Sequence, residues 1–192
     1  MTYAPGKHRR RSIRLKSYDY AQAGTYFVTV CTQRRACLLG AISNGHMRLN
    51  GAGRTVHASW DQLPRRFAGV RLDEFIIMPN HVHGIIIIVG AQFIAPDDPP
   101  HHVLANHGQG AINRAPTLGE IVRAFKAAST YAIHRRTNPV FAWRRNYYEH
   151  VIRDDDSLER IRQYILDNPA RWEFDRENPA ATRPEPENAW RF

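Results

Sequence analysis

Cysteine is scarce in this sequence. Cys31 and Cys37 are the only two in 192 residues, and six positions apart they form neither a CxxC pair nor a disulfide framework. Neither a cysteine zinc site nor a disulfide-stapled scaffold is indicated, and a reducing compartment is expected. Long apolar runs are missing as well: nothing approaches the roughly 18 consecutive apolar residues of a membrane helix. The opening MTYAPGKHRRRSIRLK holds no apolar segment of signal-peptide length. These absences predict a soluble cytoplasmic protein with no membrane partner. Acidic residues are also under-represented, 18 Asp plus Glu against 27 Lys plus Arg, which leaves a formal charge of +9. Such an excess points to a polyanionic partner, nucleic acid first, and to association with the nucleoid.

What is present supports one domain with a full core: the hydrophobic fraction is 43%. TYFVTVCTQ, residues 25–33, alternates as a first strand, and Asn44-Gly45 signals a tight hairpin after it. Val56, Trp60, Leu63 and Phe67 recur at steps of three and four, which predicts a helix from Gly51 that Pro64 ends. Two strands follow at 70–78 and 81–89, and then a long loop over 91–116, rich in Pro, Gly, Asn and His, that is expected to be mobile. Thr117 to Glu120 has capping-box spacing and opens a second helix running to about Arg136. WRRNYYEHVI, residues 143–152, suits a fourth main strand, and Asp155, Asp156 or Ser157 can cap a last helix that stops before Pro169. The order β, α, β, β, α, β, α predicts an α+β fold of ferredoxin-like topology: an antiparallel sheet, helices on one face, and an extra C-terminal helix. A basic arm over 1–17 precedes the domain of 18–173, and 174–192 reads as a tail draped on the surface or disordered.

The stretch FIIMPNHVHGIIIIV, residues 75–89, raises the chemical question. Strand alternation puts His81 and His83 on one face of what should be a central strand, where an unpaired polar ring costs about 1–3 kcal/mol. Two readings stand level: hydrogen bonding to neighbours, or a metal, since neutral imidazole is the commonest metal ligand. On the last helix Leu158, Ile161 and Ile165 face the core and Tyr164 lies at the edge of that face. Asn168 follows four residues later, and its position before Pro169 predicts a backbone outside the helical region.

MPNHVHG, WRRNYYEHVIRD and YILDNP, in that order, make residues 18–173 similar to the single-tyrosine HUH transposases, and within them to the REP-associated tyrosine transposases. The resemblance implies that His81 and His83 bind a divalent metal, that Asn168 completes its site, and that Tyr164 is the catalytic nucleophile. It implies Mg²⁺ or Mn²⁺ as the ion, although imidazoles also accept zinc. The implied activity is single-strand cleavage and strand transfer through a 5′-phosphotyrosine, on hairpin or repetitive palindromic DNA. Tyr131, Tyr147 and Tyr148 are rival nucleophiles of lower rank, and His101, His102, His107 and His150 are further candidate ligands. DNA contacts are expected from Arg9, Arg10, Arg11, Arg14 and Lys16 of the arm, and from Arg144 and Arg145, with Trp143 and Tyr147 for stacking. A hairpin-binding protein or repressor without cleavage, and a zinc-stabilised RNA-binding domain, are the alternatives. Monomer and homodimer both remain open.

Overall fold

A computed structural model describes residues 23–89, 116–136 and 139–185. The basic arm, the expected loop except Pro116, and residues 186–192 of the expected tail lie outside the described residues. Four strands form one antiparallel sheet: β1 (Gly24–Cys31), β4 (Val70–Ile77), β5 (His81–Ile88) and β6 (Tyr148–Ile152), in the order β4-β5-β1-β6. That order is the ferredoxin-like one, with the histidine strand internal. A separate hairpin, β2 (Gly40–Ser43) and β3 (His46–Leu49), turns through Asn44 and Gly45, both at positive φ (51° and 71°). This is the backbone that a type I′ turn demands and that an Asn-Gly pair tolerates.

Alternation along β1 and β5 divides the core in two. Tyr26, Val28, Val30, Val82, Ile86 and Ile88 pack against α1 (Gly51–Asp61) and α3 (Leu118–Arg136). Phe27 and Ile85, pointing the other way, pack against Ile161 and Ile165 of α4 (Asp155–Asp167). The extra C-terminal helix thus covers the sheet face opposite the α1/α3 pair. Gly84 lets the two layers on the first face approach, because a Cβ there would sit 2.5 Å from the Trp60 ring. Trp60 itself stacks on Phe75 at 4.4 Å.

Local signals operate largely as the sequence suggests. Thr117 Oγ1 accepts from Glu120 N (3.2 Å) while Glu120 Oε2 accepts from Thr117 N (2.8 Å), a reciprocal box at the start of α3. Three boundaries differ from expectation. The first helix stops at Asp61, and Pro64 lies in the first turn of a short α2 (Leu63–Arg66), where its missing N–H costs nothing. The fourth strand begins only at Tyr148; Trp143 makes an isolated bridge to Thr32. The cap of α4 is Asp154, which accepts from Ser157 N at 2.7 Å, one residue before the candidates named above.

A fourth difference concerns Asn168, which is helical (φ −56°, ψ −42°) despite preceding proline. Its N–H bonds the carbonyl of Ile165, three residues back, and a 3₁₀ segment continues over Asn168–Phe174. Tightening the ladder from four residues to three accommodates the proline ring, and burial of Asn168 and Pro169 outweighs the local preference. Among the described residues no helix is long and apolar enough to cross a membrane.

Candidate metal and tyrosine site

His81 and His83 stand on the α4 side of β5, each held from behind. His81 Nδ1 lies 2.8 Å from Asn80 Oδ1, and His83 Nδ1 lies 2.9 Å from Thr29 Oγ1. The two Nε2 atoms face each other at 3.0 Å. Burial, together with the Arg35 cation, pushes the His81 pKa down to about 3. Burial and then the neighbouring imidazole depress His83 well below the ordinary value. Both rings are therefore neutral at pH 7, the form in which imidazole binds a metal.

Tyr164, on α4, brings its ring to 5.4 Å from His83 and 6.2 Å from Phe27, which in turn stacks on His83 at 5.3 Å. Burial pushes the phenol up to about 12, while the nearby Asn168 side chain pulls the other way. Asn168 is 4% exposed, and its Oδ1 is buried with no hydrogen-bond partner. His81, His83 and Tyr164, more than eighty positions apart at the extremes, are thus brought together, and Asn168 follows Tyr164 by four residues at the end of α4.

A further acidic residue joins them. Asp175 offers a carboxylate within 4.8 Å of the ligating nitrogens of both histidines, and its Oδ2 lies 3.5 Å from His81 Nε2 without a hydrogen-bond partner. The segment expected to be a surface tail therefore starts inside the fold, with Asp175 only 7% exposed. Burial raises the Asp175 pKa, and His83 draws it back. No spacing in the sequence distinguishes Asp175 from the other acidic residues near it, so pattern alone could not find it. Glu177, two residues on, anchors the segment: its carboxylate meets Arg35 Nε at 2.8 Å and Cys31 Sγ at 3.3 Å.

The donor set fits a divalent cation. Two neutral imidazoles and a buried carboxylate gather at one spot, an arrangement costly without a positive charge. His81, His83 and Asp175 could hold a metal ion.

Beside this cluster opens a cleft of about 530 Å³ whose walls include His83, Tyr148, Tyr164, Arg35, Arg144 and Arg176. Of the expected DNA contacts, Arg144 lines the cleft, as does Tyr147, whose ring also lies 5.4 Å from Lys126 Nζ. Arg145 is exposed outside it. Trp143 is not available for stacking: it is 8% exposed, its indole N–H donates to Ser129 Oγ at 2.9 Å, and Phe125 and Phe141 flank it. It buries because strand pairing at Thr32 turns its side chain into the α3 layer. The arm residues Arg9 to Lys16 and His101, His102 and His107 lie outside the described residues. Tyr131 is 64% exposed on α3, behind the sheet from the cluster. Both Tyr147 and Tyr148 line the cleft, and Tyr148 lies opposite Thr29 in the β1–β6 register.

No family model matches the chain. An uncharacterised protein of Haemophilus influenzae is 44% identical over 173 residues, which cover 90% of this chain and 95% of that protein. Among solved structures, a REP-associated tyrosine transposase bound to a REP hairpin superposes with a TM-score of 0.54 at 19% identity, covering 83% of this chain and 74% of that one. The chain therefore belongs to one family with the Haemophilus influenzae protein, and its fold is that of a REP-associated tyrosine transposase.

Proposed function

We propose that the chain is a metal-dependent single-strand DNA endonuclease and strand transferase, a transposase that works through Tyr164 on hairpin or palindromic strands. The observation that carries this reading is the position of Tyr164: its ring lies 5.4 Å from that of His83 and borders an arginine-lined cleft. A binding module has no use for that conjunction. The structural neighbour's REP hairpin supports a folded-back strand as the ligand.

In the proposed reaction the arginines of the cleft hold the strand through its phosphates, and Tyr148 offers a flat face beside the scissile position. Tyr164 Oη attacks phosphorus, the P–O3′ bond breaks, and the phenolic proton leaves as the 3′-oxygen takes one up. The products are a 5′-phosphotyrosine and a free 3′-OH. A Mg²⁺ or Mn²⁺ held by His81, His83, Asn168 and Asp175 supplies, when bound, the charge withdrawal that the phosphate and the departing oxygen require. Because the phosphotyrosine keeps the energy of the phosphodiester, a later 3′-OH can reverse the step and join a new strand. Rigid packing of Tyr164 against Phe27 and His83 keeps the nucleophile oriented, which is worth more than its acidity.

End-labelled hairpin oligonucleotides from the flanks of the gene, incubated with Mg²⁺ or Mn²⁺ and run on a denaturing gel, test the proposal. A metal-dependent nick and a covalent protein–DNA band, both lost in Tyr164→Phe while binding persists, are expected. Firm hairpin binding by the wild type with no nick and no adduct would instead mean a binding protein on the same fold.

A further inference from the structure

Asn80 sits directly before the histidine pair, fully buried, and every polar atom of its side chain is engaged. Its Nδ2 donates to two backbone carbonyls, those of Arg35 (3.0 Å) and Glu177 (2.6 Å). Carbonyls only accept, so the orientation of the amide follows: the nitrogen faces them and Oδ1 faces His81. An amide oxygen likewise only accepts, so His81 Nδ1 must carry the proton in the 2.8 Å contact. Its Nε2 is then a bare lone pair aimed at His83 and Asp175.

The second carbonyl adds a longer-range consequence. Glu177 belongs to the segment that delivers Asp175, and the peptide at Glu177 is fastened from two sides. Asn80 holds its carbonyl, while Asp175 Oδ1 accepts from its N–H at 2.7 Å. That second bond aims the Asp175 carboxylate, leaving Oδ2 toward the histidines. One amide therefore touches both a histidine donor and the chain that carries the carboxylate donor, which lie 94 positions apart in sequence.

We infer that Asn80 is a positioning residue of the metal site: it fixes His81 in the Nδ1-protonated tautomer and, through the Glu177 carbonyl, sets Asp175 in place. The inference rests on the proposed metal function for its purpose, but its geometry is independent of DNA cleavage. Hydrogen-bonded partners behind a ligating histidine orient the ring and raise its basicity, and their loss typically weakens metal binding by about 10–100-fold. His83 differs in this respect. Its partner, the Thr29 hydroxyl, both donates and accepts, so it leaves that ring free to change tautomer, whereas Asn80 does not.

The test uses the full chain, without metal and then titrated with Mn²⁺ alone. Long-range ¹H–¹⁵N spectra of the metal-free wild type should show His81 protonated at Nδ1 and bare at Nε2. In Asn80→Ala, shown folded by circular dichroism, a mixture of tautomers and Mn²⁺ affinity weaker by about 10–100-fold are expected. Asn80→Asp keeps an acceptor behind the ring and should retain the tautomer. A wild-type His81 protonated at Nε2 overturns the inference whether or not the alanine variant folds, and so does a folded Asn80→Ala with the wild-type tautomer and affinity. The expected tautomers in a protein that binds no Mn²⁺ would support the assigned role in orienting His81 and sink the metal-dependent function instead.

Discussion

Burial keeps the Tyr164 phenol protonated across the neutral range. With its pKa pushed up to about 12 by desolvation, the phenolate fraction at pH 8 is on the order of 10⁻⁴. If phenolate is the attacking form, each unit of pH raises that fraction roughly tenfold, so nicking should climb steeply and without a plateau from pH 7 to 9. Initial rates at constant ionic strength and saturating Mn²⁺ measure it; a flat profile would show that ionisation does not limit the reaction. Tyr164→Phe should lower adduct formation to background and leave the hairpin shift within about twofold, because in the proposed reaction the hydroxyl takes part only in the chemistry. Gly84, next to His83, makes a different kind of demand. A methyl group there would press on Trp60 at 2.5 Å and on Phe75 at 2.9 Å, the two rings of a stacked pair, of which Trp60 is fully buried. Gly84→Ala should cost about 1–3 kcal/mol, read as a lower urea midpoint at unchanged slope.

Helix α4 carries Tyr164, the proposed nucleophile, and what seats the helix on the sheet sets the precision of the proposed site. Besides Ile161 and Ile165, a bidentate pair holds it: Arg162 Nε and Nη2 donate to Asp73 of β4 at 2.8 and 2.6 Å. The Arg162 hydrogen bonds keep the Asp73 carboxyl below its ordinary value. A depressed carboxylate pKa stabilises the fold above the unfolded value of 3.8, and that contribution disappears as pH falls through the folded value. Arg162 is about a third exposed, so solvent screening limits the pair to about 0.5–1 kcal/mol. Asp73→Asn should therefore lower stability by that amount at pH 7 and make the acid limb shallower near pH 4. Nicking should fall more than hairpin binding, since the loosened element bears Tyr164 but not Arg144. Equal loss in both would argue that the pair supports the whole domain and not the helix.

Over the whole molecule, the sheet separates two tasks. One face, under α1 and α3, is a dry core whose interior polar groups serve packing, as Trp143 and Ser129 do. The other face bears the histidines and Tyr164 and opens into the arginine-lined cleft. In the proposed function the charge excess acts mainly through phosphate contacts, which release counterions and make binding salt-dependent. Arg144→Ala should weaken binding of all hairpin sequences alike and reduce the slope of log K against log salt by about 1. Fluorescence anisotropy over a range of KCl concentrations measures it, and an unchanged slope would remove Arg144 from the phosphate path.

The sequence by itself determined those features that depend on neighbours along the chain. Alternation in HVHGIIII placed both imidazoles on one face of an internal strand, Asn44-Gly45 specified its turn, and the Thr117–Glu120 spacing opened α3. Helical spacing also placed Tyr164 at the edge of the core face of α4, while its role and that of Asn168 came from the family resemblance. Tertiary structure alone decided the rest. Trp143 went to the core because its strand partner Thr32 lies 111 positions away. Asn168 stayed helical before proline because burial outweighed a local steric preference. Asp175 entered the cluster only because Asn80, Arg35 and Cys31 capture Glu177. Those contacts join segments that nothing in local periodicity connects, and they exist only once hydrophobic burial has assembled the sheet.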